Sequence, residues 1–71
     1  MQTNERRERL GTAIRQERMR QRLSQTRFAH MIGSDQSYVS RLERGEYNLK
    51  FDRLCEIADA LGLDVSELLS R

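Results

Sequence analysis

The sequence contains no proline, no tryptophan and a single cysteine, Cys55. One cysteine excludes an internal disulfide framework and any site built on paired CxxC motifs, and we predict neither a cofactor nor a metal site. No apolar run approaches the roughly 18 residues of a membrane span, and the first residues lack the apolar stretch of a secretory signal. We therefore expect a protein of the cytoplasm that does not enter a membrane.

Charged residues are abundant instead: they make up 34% of the 71 residues, whereas aromatic residues make up only 6%. Together with the lack of proline and the few β-branched residues, this composition favours an all-α fold with solvated helix faces. The length predicts one domain over residues 1–71. Because a core of this size supplies only about 3–5 kcal/mol, dimerisation is favoured as an additional source of stability.

The charges are distributed unevenly along the chain. Residues 1–27 hold eight arginines against three acidic residues, residues 28–50 hold three basic against three acidic residues, and residues 51–71 hold two arginines against five acidic residues. Such a division suits a protein with one face toward a polyanion and the other toward itself or a partner. Ordinary solvated helix faces would give the same counts, so charge alone does not decide between the two interpretations.

Hydrophobic periodicity predicts five helices, at about residues 5–21, 25–32, 36–44, 51–61 and 65–69. Gly33, Gly45 and Gly62 each follow a helix end, where glycine is the preferred residue. In the fifth helix, Asp64 and Glu67 have the spacing of a capping box. The fourth helix has the clearest apolar stripe, formed by Phe51, Leu54, Ile57, Ala58 and Leu61.

Two charged residues interrupt the apolar stripes. Arg18 continues the Leu10–Ile14 stripe of the first helix, and Glu43 lies four residues after Val39, on the inward side of the third helix. Each charge would be costly to bury alone, but the two are tolerated as a pair. We therefore predict that Arg18 and Glu43 form a structural salt bridge between these helices.

The second and third helices are short, and their connection contains Gly33, which is the arrangement of a helix-turn-helix. Ser34 or Asp35 is expected to cap the third helix. Val39 and Leu42 direct one side of this helix to the core and leave a polar and basic row on the other side. Gln, Ser and Arg read base edges in the major groove, and the N-terminal part of a recognition helix reaches them. The predicted base-reading residues are Gln36, Ser37, Ser40 and Arg41.

A phosphate-contacting surface is predicted beside this row. Arg27 lies in the first turn of the second helix and Lys50 at the start of the fourth, where the helix dipole disfavours a cation unless an anion docks there. Tyr47 is either part of this surface or a packed surface aromatic. The predicted phosphate contacts are Gln25, Thr26, Arg27, Tyr38, Arg44, Tyr47, Asn48 and Lys50.

Several short motifs resemble the Cro/phage-repressor (XRE) class of helix-turn-helix proteins. They are "LSQ" at residues 23–25, "YVSRLERG" at residues 38–45 and "IADALG" at residues 57–62, together with Ala29 and Gly33. The resemblance covers residues 14–69, and "SYVSRLERGEYNL" is most similar to small stand-alone regulators such as restriction–modification controller proteins. It implies a compact five-helix, lambda-repressor-like bundle that binds operator DNA as a homodimer.

The resemblance also implies roles for individual residues. In the family, the glutamine that matches Gln25 contacts phosphate and braces the residue that matches Gln36. The residues that match Gln36, Ser37, Ser40 and Arg41 read bases. The pair that matches Arg18 and Glu43 is a structural salt bridge, in agreement with the stripe argument.

The sequence departs from the family pattern at three places. Thr26 and Arg27 stand where glutamate is common, so the second helix lacks its capping box. Leu49 and Lys50 replace a common Pro-Ser, which removes the usual cap of the fourth helix. Glu17 occupies a position that is often apolar.

The predicted function is sequence-specific binding of double-stranded DNA by a homodimeric transcription regulator, either a repressor or an autoregulator. The predicted dimer interface is the apolar C-terminal set Leu63, Val65, Leu68 and Leu69. The alternative is an antitoxin-like module that uses these residues to bind a partner protein. An enzyme is not expected, because His30 is the only histidine and no basic cluster near Cys55 favours a thiolate.

Overall fold

The computed structural model describes residues 2–71, with side chains from Asn4 onward. This part of the chain consists of helices and connections without a strand, which confirms the all-α prediction. The predicted bounds agree to within one residue, except that the first helix begins about three residues earlier than expected. The helices are α1 (Gln2–Arg20), α2 (Gln25–Met31), α3 (Gln36–Glu43), α4 (Phe51–Leu61) and α5 (Val65–Leu69).

Side-chain caps fix the beginnings of the short helices. Ser24 caps α2 by accepting a hydrogen bond from the Arg27 amide at 3.0 Å. Of the two candidates for α3, Asp35 is the cap, and its carboxylate accepts from the Tyr38 amide at 2.9 Å. The predicted capping box of α5 is present. Because an N-cap satisfies amides that have no partner inside the helix, these contacts determine where each helix starts.

The core lies where α1 to α4 meet and is closed by α5. Its centre is formed by side chains that are almost completely buried: Ala13, Ile14, Phe28, Ala29, Val39, Ile57, Ala58 and Leu68.

The structure corrects the sequence prediction at two apolar positions. Phe51 is 68% exposed rather than part of the α4 stripe. Its neighbours Lys50 and Asp52 are exposed as well, so the first turn of α4 extends past the core, which begins at Leu54. Leu68, predicted to lie in a dimer interface, is 1% exposed because it packs inside its own core, and it offers no surface to a partner.

α1 crosses the C-terminal end of α3 at two glycines. A Cβ atom added to Gly11 would lie 2.5 Å from the backbone oxygen of Glu43, and one added to Gly45 would lie 2.7 Å from Cα of Glu8. Gly45 also has a φ of 79°, which side chains other than glycine rarely adopt. The two backbones are therefore in direct contact, and glycine is required at both positions.

Glu17 is a fully buried carboxylate on α1. It accepts hydrogen bonds from Arg20, from Gln21 Nε2 at 2.9 Å and from Arg71 Nη2 at 2.8 Å. These contacts, led by the hydrogen bond from Arg20 and then that from Gln21, lower the pKa of Glu17 from 4.5 to about 2, although burial acts in the opposite direction. Since Arg71 follows α5, the cluster joins the C-terminal end of the fold to α1.

Candidate nucleic-acid interface

The α2–α3 unit presents one face of α3 to solvent. Gly33, with a φ of 67°, forms the turn after α2, and the Ser34 amide donates to the Ala29 carbonyl at 2.8 Å. Val39 and Leu42 are buried beneath α3. Of the outward row that the sequence predicts, Gln36, Ser37, Arg41 and Arg44 are exposed and Ser40 is half-buried.

The predicted pair of Arg18 and Glu43 is present under this face. Arg18 Nε donates to Glu43 Oε2 at 2.6 Å, and its Nη2 donates to Oε1 at 3.1 Å. The Nη1 group donates to the Leu23 carbonyl at 2.7 Å. The side chains are only 10% and 3% exposed. The pair therefore fixes α1, the α1–α2 connection and α3 relative to one another.

A chain of hydrogen bonds leads from this pair to the surface. Gln25 Nε2 donates to Glu43 Oε1 at 3.1 Å, and Gln36 Nε2 donates to Gln25 Oε1 at 2.6 Å. A carboxylate only accepts hydrogen bonds, so Gln25 must turn its amino group toward Glu43 and its oxygen toward Gln36. The side-chain amide of Gln36 is thereby oriented from inside the molecule.

This orientation leaves two groups of Gln36 available, the oxygen Oε1 and the second N–H of Nε2. An adjacent acceptor and donor is the pattern that a glutamine uses to bind adenine N6 and N7 in the major groove. The structure thus brings Gln25 and Gln36 together in the manner that the family resemblance implies. The chemistry available at Gln36 is that of an adenine-reading side chain.

Arg44 and Ser40 form a second contact on the same face. Arg44 Nη1 donates to Ser40 Oγ at 2.7 Å, and its Nε donates to Glu46 Oε2 at 2.7 Å. The ion pair of Arg44 and Glu46 is well exposed, and such pairs contribute less than about 1 kcal/mol. Because this pair is weak, a phosphate of a DNA backbone can compete with Glu46 for Arg44.

Two tyrosines and one arginine join α3 to the segment that follows it. The rings of Tyr38 and Tyr47 stack with centroids 4.8 Å apart. Arg53 on α4 lies 5.0 Å from the Tyr38 ring centroid, and its Nε donates to Tyr38 Oη at 3.2 Å. Its Nη1 donates to the Ile32 carbonyl at 2.8 Å. Since Tyr38 Oη accepts from Arg53, the hydroxyl proton remains free to be donated to another acceptor.

Arg53 is a part of this face that the sequence pattern does not reveal. The pKa of Arg53 is raised above that of a free arginine, first by the hydrogen bond with Tyr38 and then by Glu56, against the effect of burial. No local signal identifies it, because Arg53 lies 15 residues after Tyr38 and is spaced as an ordinary outward residue of α4. The position of Tyr47 now has a physical explanation, since its ring is held by Tyr38.

The remaining predicted phosphate contacts lie at two helix starts. Thr26 and Arg27 are exposed in the first turn of α2, which contains no acidic residue. Asn48 and Lys50 are exposed before α4, where Lys50 is the N-cap residue and makes no side-chain capping hydrogen bond. Amide groups at such helix starts are available to an anion.

The C-terminal apolar residues divide into two groups. Leu63 and Val65 are half-buried against the core, as is expected of cover for a small domain, while Leu69 is 57% exposed. Within residues 2–71, no helix is both long and apolar enough to cross a membrane.

The chain belongs to the helix-turn-helix family, whose profile matches residues 14–68. The family comprises DNA-binding transcription regulators rather than enzymes. Among sequence relatives, the chain is similar to the control protein C.MunI of Mycoplasma sp., with 42% identity over 48 residues. That match covers 68% of this chain and 65%, or slightly less than two thirds, of C.MunI.

Solved structures agree with this assignment. The fold is similar to that of the restriction–modification controller protein C.AhdI from Aeromonas hydrophila, with a TM-score of 0.76, 36% identity and coverage of 83% of this chain and 86% of that one. It is also similar to the clp gene regulator ClgR from Corynebacterium glutamicum, with a TM-score of 0.87, 31% identity and coverage of 90% and 82%. The predicted resemblance to small helix-turn-helix regulators, including controller proteins, is thereby confirmed.

Proposed function

We propose that this protein is a sequence-specific DNA-binding transcription regulator that acts in the cytoplasm as a homodimer, with α3 in the major groove. The observation that carries the proposal is the hydrogen-bonded chain from Glu43 through Gln25 to Gln36, which orients a base-reading amide on an exposed helix. The proposed base contacts are Gln36, Ser37, Ser40 and Arg41. The similarity to two controller proteins supports a role in gene control, and we propose that this control is repression or autoregulation.

The proposed phosphate contacts surround this helix. Arg27 and Thr26 lie at the start of α2, and Asn48 and Lys50 lie before α4. Tyr38 contributes the free proton of its hydroxyl, and Tyr47 is held beside it. Gln25 and Arg44 complete the set. Such contacts set the register on the duplex, and because they release counterions, binding should weaken steeply as salt is added.

Dimerisation is proposed to use the C-terminal face. Leu69 is the large exposed apolar residue there, with Leu63 and Val65 beside the core. A two-fold dimer of helix-turn-helix units binds half-sites about 34–36 Å apart, or a multiple of this distance. We expect Leu69→Glu to shift the monomer–dimer equilibrium in sedimentation toward the monomer and to weaken operator binding without lowering the melting temperature.

The experiment that tests the function is selection of binding sites from random duplex DNA at near-physiological salt. We expect enrichment of a two-fold symmetric motif. Ser37→Ala and Arg41→Ala should relax the preference at individual base pairs. Ser66→Ala, at an exposed position of α5, is the matched control and should leave the motif unchanged. Absence of any enriched motif would overturn the proposal.

The antitoxin-like alternative makes a different prediction for the same surface. In that case a partner protein co-purifies with the chain from its natural host, and Leu69→Glu abolishes this co-purification. The oligomeric state of the purified chain is then the same with and without the substitution. The two functions are therefore separated by one variant measured in two ways.

A further inference from the structure

The N-terminal half of α1 lies outside the segment that matches the helix-turn-helix family, which begins at residue 14. It is nevertheless held firmly against the region that follows α3. The backbone of Glu8 is in contact with Gly45, and the backbone of Gly11 is in contact with the end of α3. This additional part of the helix therefore has a fixed position beside the proposed phosphate contacts of residues 47–50.

A cleft of about 220 Å³ lies between this part of α1 and the segment before α4. Its polar lining residues are Arg6, Arg7, Tyr47 and Asn48, and its apolar ones are Leu10, Leu49, Leu54 and Leu69. The cleft therefore borders the proposed dimer face at Leu69. Among the side chains that the structure describes, from Asn4 onward, none of those lining the cleft is acidic. The lining therefore combines two guanidinium groups and an amide with a low-dielectric wall, which strengthens the attraction of an anion.

Arg7 provides the observation that points to a ligand. Its Nε atom is buried, and among the described residues no acceptor lies within hydrogen-bonding distance. Buried N–H groups are satisfied in the great majority of cases, and an unpaired one on a cation is especially unfavourable. Nε itself is closed to solvent, but no hydrogen bond or ion pair within the described residues holds the rest of the Arg7 guanidinium. Its terminal Nη groups are therefore available to a negatively charged acceptor in the cleft.

We propose that the cleft binds a phosphate of the DNA backbone through Arg7 and Arg6, so that α1 extends the DNA contact beyond the family's matched segment. The inference rests on the proposed function. The cleft adjoins the proposed phosphate-contacting residues, because Tyr47 and Asn48 belong to that set and also line the cleft. Arginine suits this role, since its planar group binds phosphate through two hydrogen bonds.

The test compares Arg7→Gln with Arg9→Gln on a duplex that carries the selected site. Both variants remove one positive charge from the same helix, but Arg9 does not line this cleft. We expect Arg7→Gln to weaken binding about 10-fold for all sequences and to reduce the slope of log K against log salt by about 0.9, as loss of one phosphate contact does. Arg9→Gln should change the affinity less than about twofold, because Arg9 lies outside the cleft, beside Arg6, and its exposed charge is screened by salt.

A phosphate scan makes the test specific. Neutral methylphosphonates are placed singly along the duplex, and we expect one position per half-site at which the wild type loses affinity and Arg7→Gln does not. A parallel arm follows the Arg7 Nε–H resonance: the duplex should shift it, and inorganic phosphate at the same phosphate concentration should not. An equal shift with inorganic phosphate would assign the cleft to a free anion and overturn the DNA contact.

Other outcomes also overturn the inference. One is that Arg7→Gln binds DNA with unchanged affinity, and another is that Arg7→Gln and Arg9→Gln lose affinity equally. A third is that the scan finds no methylphosphonate position at which only the wild type loses affinity. If Arg7→Gln does not fold by circular dichroism, Arg7→Lys replaces it, and its loss must again fall at one methylphosphonate position. If the wild type binds no duplex at all, the proposed function itself fails. If the wild type binds its site and only the results expected for Arg7 are absent, the cleft contact fails and the proposed function stands.

Discussion

Glu43 and Glu17 are both buried carboxylates held by arginine, but their partners differ in exposure. Glu43 pairs with Arg18, whose side chain is 10% exposed, whereas Glu17 binds Arg20 and Arg71, which are 68% and 36% exposed. Removing Glu43 would leave a cation stranded in the interior. Removing Glu17 would release its arginines to water.

The two carboxylates also differ in what lies beyond them. From Glu43 a chain of hydrogen bonds continues through Gln25 to Gln36 on the surface of α3. The contacts of Glu17 end at the C-terminal part of the fold, with Gln21 also donating to the Leu61 carbonyl at 2.7 Å. The comparison teaches that one buried charge supports the fold and also orients Gln36, a proposed base contact, whereas the other supports the fold alone.

The largest effect is expected for Glu43→Ala. Because Arg18 stays buried without its partner, the free energy of unfolding should fall by about 3–5 kcal/mol. Thermal and urea unfolding measure this directly. The double variant Arg18→Met with Glu43→Leu is the control: it removes both charges and should recover most of the loss, and no recovery would show that the stranded charge is not the cause.

A smaller and pH-dependent effect is expected for Glu17→Gln. At neutral pH the variant should be less stable by about 1–2 kcal/mol, because hydrogen bonds to a charged acceptor are weakened. The pKa of Glu17 is about 2 in the folded state against 4.5 normally, so its stabilising contribution is complete above pH 4.5 and is lost as the pH falls toward 2. Unfolding curves of the wild type and the variant should therefore converge at low pH, while DNA affinity at neutral pH is unchanged. A constant difference in stability down to pH 2 would contradict this assignment.

A still smaller effect on stability is expected for Gln25→Ala, about 1 kcal/mol. The side chain is half-buried and donates to Glu43 at 3.1 Å, but Glu43 keeps both hydrogen bonds from Arg18. The effect of this variant on recognition should be larger. Gln36 loses the acceptor that orients its amide, so discrimination at one base pair per half-site should relax. Binding to duplexes substituted at each position measures this, with the exposed Gln16→Ala as the matched control. Equal discrimination by both variants would show that Gln36 does not need the brace.

The smallest effect is expected for Arg71→Gln. Arg71 is partly exposed, and its bond to Glu17 is one of several, so the free energy of unfolding should fall by at most about 0.5 kcal/mol. Chemical denaturation against Arg15→Gln, an exposed residue of α1, resolves a change of this size. A loss of more than about 2 kcal/mol would place the main support of Glu17 at the C-terminus instead of at Arg20.

Local signals predicted the helices well. Caps and glycines mark helix ends within a few residues, so the bounds of α2 to α5 came out within one residue of those in the structure. The pair of Arg18 and Glu43 could also be predicted, because each charge interrupts an apolar stripe at a position that must face inward. In both cases the information lies within one or two turns of the chain.

Features that depend on distant parts of the chain could not be predicted. Phe51 fits the apolar period of α4, but the period does not show where the core stops. Leu68 and Leu69 look alike in sequence, and only the packing of α5 decides which one is buried. Arg53 contacts Tyr38 across two elements, and Arg71 reaches Glu17 from 54 residues away. Such contacts are set by the tertiary arrangement and leave no periodic signal.

The contact between α1 and α3 at Gly11 and Gly45 has a consequence for how this protein can change over evolutionary time. Since backbone meets backbone there, the placement of α3 is determined without reference to the identity of its outward side chains. Positions such as Gln36, Ser37 and Arg41 are therefore free to be replaced one at a time while the helix keeps its docking angle. Under the proposed base contacts, single substitutions at these positions would change the preferred DNA site, each tested by selection on an unchanged scaffold.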